Sequence, residues 1–487
     1  MHDETVTIPV RRAGLSRLGF AAFYVLMLAG AVVVFLLVRA YGERLAAPAP
    51  VEQVVVGQPP PAATGNVLFH VLLALAAVIA LGRLLGYLLA YLGQPPVIGE
   101  VLAGILLGPS LLGQVAPEAA GYLLPQTVAP YLGVIAQVGV ILYMFLVGLE
   151  FNGSLLRQQA RTTLAIAHAS MTLPFLLGAI LALYTYPRLS SSDVPFTSFA
   201  LFAGVAMAVT AFPVLARILT DRGMHKTELG VLALTCAAAD DVTAWCLLAF
   251  VVGIAQAKVG GALLVLVWTA AYVAVMVLLV RPLVQRFLGR LTQEEVTPGI
   301  IALVLVLVLL SALATEGIGI HAIFGAFLLG ALIPHDCGLA RTFTHKLEEF
   351  VSLFLLPAFF ALTGMRTQIG LLADPAQWLL CGLIILVATA GKFGGTFVSA
   401  RLTGLGWREA AALGALMNTR GLMELIVLNI GLEMHVIGPT LFAMMVLMAL
   451  VTTMATSPIL QLLNKPTQAR ARNLAVGSAS HPDEYRI

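Results

Sequence analysis

Charge is scarce in this chain, and that scarcity decides its class. Asp, Glu, Lys and Arg make up 10% of the 487 residues, 60% are hydrophobic, and the mean hydropathy is +0.97. Soluble globular domains carry about 25% charged residues, so a water-facing globule with one core is excluded. A net charge of +3 carries no sign of a nucleic-acid partner, and none is expected; what matters is where the positive residues fall. Cysteine is rare as well. Cys236, Cys246, Cys337 and Cys381 lack metal-ligand spacing and lie in or beside apolar runs, the pattern of small buried side chains. A Ser-His-Asp arrangement, HExxH, a P-loop and GxGxxG are all absent, so neither an enzyme nor a cofactor is expected.

Long apolar sequence is what the chain does have. A spanning helix needs about 20 predominantly apolar residues. Fourteen stretches approach that length: 17–40, 66–92, 96–112, 130–148, 160–186, 197–221, 227–254, 262–281, 298–315, 318–334, 349–365, 377–400, 408–433 and 437–462. The fold class is therefore an all-α polytopic membrane protein. With residues 1–16 in the cytoplasm, nineteen of the 27 Lys and Arg residues fall in inside loops and five outside. This asymmetry predicts both termini inside. The first stretch follows basic residues as in a signal peptide, but its apolar run exceeds the usual 7–15 residues and no cleavage site follows, so a retained anchor is expected. Residues 41–65 read as an external Pro/Ala-rich linker. From about Asn464 to residue 487 the chain reads as a polar, basic, disordered cytoplasmic tail.

Against this background the ionisable residues at membrane depth stand out: Arg83, Glu100, His168, Asp240, Asp241, His321, Lys392, Arg420 and Glu424. Each costs about 2.5–3.5 kcal/mol at the bilayer centre on the gentlest scale, so each requires a partner, a wet cavity or a function. Arg83 and Glu100 are expected to pair or to sit near a water-filled mouth, and the two histidines read as neutral, hydrogen-bonded core residues. In CAAADDVTAW, residues 236–245, Asp240 and Asp241 lie near the middle of a span. Successive helical residues point about 100° apart, so they cannot share one face. A carboxylate stripped of water takes up a proton or binds a cation in place of its hydration shell, and the two exclude one another. Exposed to one side of the membrane at a time, such a group exchanges cation for proton without covalent chemistry.

Two further stretches carry breaks. AVTAFPVLARIL (208–219) holds Pro213 in mid-span after Thr210 and Ala211, and NTRGLMELI (418–426) holds Asn418, Thr419, Arg420 and Gly421. Interrupted helices in corresponding positions of two halves point to a transporter binding site. The topology runs them in opposite directions, as an inverted repeat requires. VLAGILLGP (101–109) and IFGAFLLGALIP (323–334), also opposite in direction, carry the same symmetry.

VIGEVLAGILLGPS (97–110), MFLVGLEFN (144–152), TAFPVLARIL (210–219), the Asp240–Asp241 pair, GIHAIFGAFLLGALIP (319–334), GKFGGT (391–396) and MNTRGLMELIVLNIGL (417–432) together resemble the monovalent cation/proton antiporter superfamily. The branch it resembles is the one of plant cation/proton exchangers and Kef-type potassium/proton antiporters, and the likeness covers residues 66–463. It implies a thirteen-helix inverted-repeat fold with two crossing broken helices, interleaved core and dimerisation subdomains, and a homodimer in a prokaryotic cytoplasmic membrane. The helix at 17–40 is extra to that plan. By the same resemblance Asp241 binds cation and proton, Asp240 is the first acid of an electrogenic pair, and Lys392 is the counter-ion of Asp240. Thr210, Ala211, Pro213, Asn418 and Thr419 form the helix breaks and offer oxygen ligands. Arg420 and Glu424, four apart, support them as a helix salt bridge. The implied function is exchange of Na+ or K+ for protons by alternating access. The other readings are a channel-like or regulatory protein gated by the acids, and an exporter of an organic solute or ionophore complex.

Overall fold

The computed structural model describes residues 17–49, 66–125, 127–150, 160–224, 227–256, 262–287, 296–334 and 337–478. Residues 1–16, most of the 41–65 linker, the end of MFLVGLEFN and the last nine residues lie outside them.

Helix α1 (Arg17–Gly42) precedes α2 (Val67–Tyr91), α3 (Pro96–Leu107), the short α4 (Leu112–Val115) and α5 (Pro117–Leu123), and α6 (Ala129–Glu150). Next come α7 (Ala160–Leu189), α8 (Phe196–Ala208), α9 (Phe212–Asp221) and α10 (Glu228–Gln256). A π turn at Met276–Val280 joins α11 (Ala262–Val275) to α12 (Arg281–Phe287), and α13 (Pro298–Ile318) and α14 (Ala322–Leu332) follow. A second π turn, Val351–Leu355, joins α15 (Gly338–Phe350) to α16 (Leu356–Arg366). The chain continues through α17 (Pro375–Leu402), α18 (Trp407–Met417), α19 (Leu422–Glu433) and α20 (Pro439–Ser478). No strand occurs among the described residues.

Eleven of the described helices are long and apolar enough to cross a membrane, or twelve with the pair α18–α19, bent by 42° at its break, taken as one span. That is short of thirteen plus one. The stretch at 197–221 is split between α8 and α9, and that at 318–334 holds only the eleven-residue α14. The expected disordered tail is also corrected: α20 runs on to Ser478. Once a helix is nucleated, adding good helix formers such as those of QARARNLA costs little.

Local signals set the ends. Thr297 accepts from the Ile300 N–H at the start of α13, where Pro298 occupies the first turn, and Gly319 at φ 95° closes it in the left-handed region. That conformation costs glycine least. Close packing relies on small residues: a Cβ on Gly148 would strike the Phe327 carbonyl, and one on Gly330 the Phe145 carbonyl, so α6 and α14 meet backbone to backbone. Helix α7 packs along both α8 and α17, and the extra helix α1 lies against α7 and α8.

Candidate functional site

Both sequence breaks are real interruptions, and they touch. Helix α8 ends at Ala208, the backbone is extended at Val209 and Ala211, and α9 begins with Pro213 in its first turn. The missing proline N–H falls where a helix has no partner for it, so the break precedes the proline and does not follow it. Helix α18 ends at Met417 with Asn418 as its cap, and α19 resumes at Leu422. The Ala211 N–H donates to the Thr419 carbonyl at 3.1 Å. The Thr210 hydroxyl lies 3.3 Å from the Met417 carbonyl.

The last carbonyls of α8, freed by the break, are taken by cations. Arg420 Nη1 donates to Ala206 O at 3.0 Å and Nη2 to Met207 O at 2.7 Å. Lys392 Nζ donates to Ala208 O at 2.6 Å. Positive charge at a helix C-terminus both satisfies these acceptors and complements the helix dipole. Arg420 is held in turn by Glu424, with Nη1–Oε2 at 3.4 Å and both side chains fully buried. The Arg420 N–H donates to Thr453 Oγ1, whose own hydroxyl donates to the Arg420 carbonyl.

Lys392 reaches the crossing because α17 lies almost on α7. A Cβ on Gly391 would come within 2.7 Å of Pro174 Cα, and one on Gly395 within 2.7 Å of the Ala169 carbonyl. The GKFGGT motif is thus a close-approach surface flanking a lysine. Lys392 Nζ lies 2.8 Å from Asp240 Oδ2, with both side chains at 0% exposure. The same Oδ2 accepts from Thr210 Oγ1 at 2.8 Å and from Ser170 Oγ at 2.9 Å. Asp240 Oδ1 accepts from no described group.

Asp241 is arranged differently. It is also buried, and no described donor meets hydrogen-bond geometry with either of its oxygens, although the Phe212 N–H faces it. Asn418 Oδ1 is likewise buried without a donor among the described residues. Three carboxylates, Asp240, Asp241 and Glu424, therefore meet two cationic side chains, Lys392 and Arg420. Fully ionised, they leave one negative charge over, and a buried surplus charge calls for a counter-charge.

Nothing in the sequence singles out Ser170, because one serine in an apolar helix is common filler in membrane spans. The remaining ionisable residues lie elsewhere. Arg83 is exposed and forms no ion pair with Glu100 among the described residues, since Glu100 packs over Gly82 instead. His168 Nδ1 lies 2.8 Å from the Leu164 carbonyl. His321 occupies the N-cap position of α14 without a side-chain cap bond, and its buried Nδ1 meets no described partner, unlike the hydrogen-bonded histidine expected. It lines a cavity of about 190 Å³ together with Arg366, Asn429 and Glu433.

Comparisons with known proteins place the chain in a family and a fold. The family model described as sodium/hydrogen exchanger, transmembrane, matches residues 66–463. The Na(+)/H(+) antiporter NhaS4 of Synechocystis sp. is 45% identical over 397 residues, covering 81% of this chain and 97% of its own length. Cation/H(+) antiporter 20 of Arabidopsis thaliana is 40% identical over 85% of this chain and 51% of its own. K(+)/H(+) antiporter 1 of Saccharomyces cerevisiae is 33% identical over 76% of this chain and 43% of its own. The chain thus spans nearly all of the first relative and about half the length of the plant and yeast ones. Among solved structures, the sodium proton antiporter MjNhaP1 from Methanocaldococcus jannaschii has the same fold, with a TM-score of 0.58 over 81% of this chain and 96% of that one at 18% identity. On the match across 66–463 and the identity to these relatives, the chain belongs to the sodium/hydrogen exchanger transmembrane family.

Proposed function

We propose that this protein exchanges a monovalent cation, Na+ or K+, for protons across a cell membrane by alternating access, with cation and proton competing for Asp241. The observation that carries the reading is the wholly buried Lys392–Asp240 pair beside an acid whose two oxygens no described donor occupies. The pair balances itself, and Asp241 supplies the surplus negative charge. One alkali cation or one proton neutralises that surplus, and the two cannot occupy it together.

Asn418 Oδ1 and Asp240 Oδ1, both buried and without donors, are further oxygen ligands of the hard type that suits an alkali cation. Thr210, Ala211, Pro213 and Thr419 shape the crossing, and the Arg420–Glu424 pair holds the end of α8. When a cation binds between the two acids, Lys392 gives up Asp240 and releases its own proton, so two protons, one from Asp241 and one from Lys392, exchange for one cation and exchange is electrogenic. The Lys/Arg asymmetry of the loops supports cytoplasmic termini, and the family resemblance supports a homodimer with a mobile core. The names of the relatives support exchange over a channel-like or solute-exporting role.

Proteoliposomes with a trapped pH dye test this. Addition of NaCl or KCl is expected to alkalinise the lumen of vesicles holding the wild type. Cation conductance without proton movement would replace exchange with a channel.

A further inference from the structure

Helix α7 contributes a group to the site to which neither the resemblance nor the relatives assign a role. Ser170 is fully buried, and its one hydroxyl hydrogen has two acceptors in reach. These are Ala167 O on its own helix at 2.7 Å and Asp240 Oδ2 at 2.9 Å. A serine hydroxyl donates once, so the two bonds are alternatives. Thr210 has the same choice between Asp240 Oδ2 and Met417 O. Lys392, with three hydrogens, holds Asp240 Oδ2 and Ala208 O together.

Every described donor to Asp240 therefore converges on one oxygen, from three elements: α7, the α8–α9 break and α17. The other oxygen is left open. Lys392 is the only charged donor of the three, and Arg420, Asp241, Glu424 and Cys236 are the other titratable groups coupled electrostatically to this cluster. A mechanism that draws Lys392 away needs something to keep the carboxylate in place meanwhile. A neutral hydroxyl with a fallback acceptor does this, because it can hold Asp240 or release it without stranding a buried donor.

We propose that Ser170 is a positioning residue of the exchange site: its hydroxyl pins Asp240 by Oδ2 so that Oδ1 stays open to the transported cation. The inference rests on the exchange reading and deepens it. Without that hydroxyl, Asp240 leans wholly on Lys392 and Thr210, and a cation competes less well for it.

The test compares wild type, Ser170→Ala, Ser170→Thr and Ser170→Cys in the dye assay over a series of NaCl and KCl concentrations. Losing a hydrogen bond to a charged group corresponds to about a tenfold change. Ser170→Ala and Ser170→Cys are expected to raise the half-saturating cation concentration about tenfold, with the maximal rate within about twofold of wild type. Ser170→Thr, which keeps the hydroxyl, is expected to stay near wild type. If Ser170→Ala does not yield monodisperse protein, Ser170→Cys carries the comparison, since it preserves volume but donates weakly. Unchanged half-saturation in both donor-deficient variants overturns the proposal. So does a fall in maximal rate alone, which is a packing effect, or failure of Ser170→Thr to restore affinity. Wild type that exchanges while Ser170→Ala behaves identically overturns this inference only; wild type that does not exchange overturns the exchange reading and this inference with it.

Discussion

Two ion pairs in this protein have the same 2.8 Å separation and opposite surroundings. Lys392–Asp240 is sealed, with both side chains at 0% exposure, whereas Arg366–Glu433 is wet, at 31% and 39%. Arg366 also donates to Asn429 at the rim of the cavity near His321. In water such a pair contributes about 0–1 kcal/mol, because solvent screens both partners and ordering two long side chains costs entropy. In a dry site the attraction is larger, but so is the cost of desolvating each charge, and removing one partner strands the other at about 3–5 kcal/mol. Distance alone therefore does not grade an ion pair. What distinguishes the inner one is that its acid is crowded with side-chain donors on one oxygen, while the next acid along the helix accepts from no side chain among the described residues. That asymmetry creates a place for a mobile positive charge, and the outer pair has no counterpart to it.

Substitutions can break or sharpen the contrast. The largest effect is expected from Asp241→Asn, which removes the surplus charge: salt-driven alkalinisation should fall to that of empty liposomes, and robust exchange by this variant would eliminate Asp241 as the carrier. Lys392→Met should destabilise the purified protein by about 3–5 kcal/mol in thermal or denaturant unfolding, with much of the loss recovered in Lys392→Met/Asp240→Asn. A single variant as stable as wild type would mean that the sealed pair behaves like the wet one. Asp240→Asn alone should weaken exchange or make it electroneutral on a solid-supported membrane; undiminished charge movement would count against Asp240 contributing a transported charge. The smallest change belongs to Glu433→Gln, expected to cost no more than about 1 kcal/mol and to leave exchange in place, and a loss comparable to that of Lys392→Met would erase the distinction.

Much of the fold is legible in the residues themselves. Each of the fourteen apolar stretches contains helix, because apolar length is a local property and a bilayer leaves backbone polar groups no alternative partner. The two breaks are legible for a related reason: Pro213 removes a backbone donor and the polar run 418–421 favours a helix end, although α7 continues through Pro174 and Pro187, so proline alone does not fix where a helix stops. The count of full spans was not, since how far α8 or α14 extends depends on what packs against its ends. Nor was the continuation of α20, where a charged composition suggested disorder and helix propagation prevailed.

Within the site, residue types alone pointed to Asp240, Asp241, Lys392, Arg420 and Glu424, because a charge at membrane depth is conspicuous however the helices pack. Which group meets which was decided by tertiary structure. Lys392 and Asp240 are 152 residues apart, and Arg420 caps carbonyls more than 200 residues away. Ser170 becomes visible only when α7 lies against α10. Hydrophobic cost is summed along the chain and can be read there, whereas a hydrogen bond depends on the rotation and separation of helices that only packing sets.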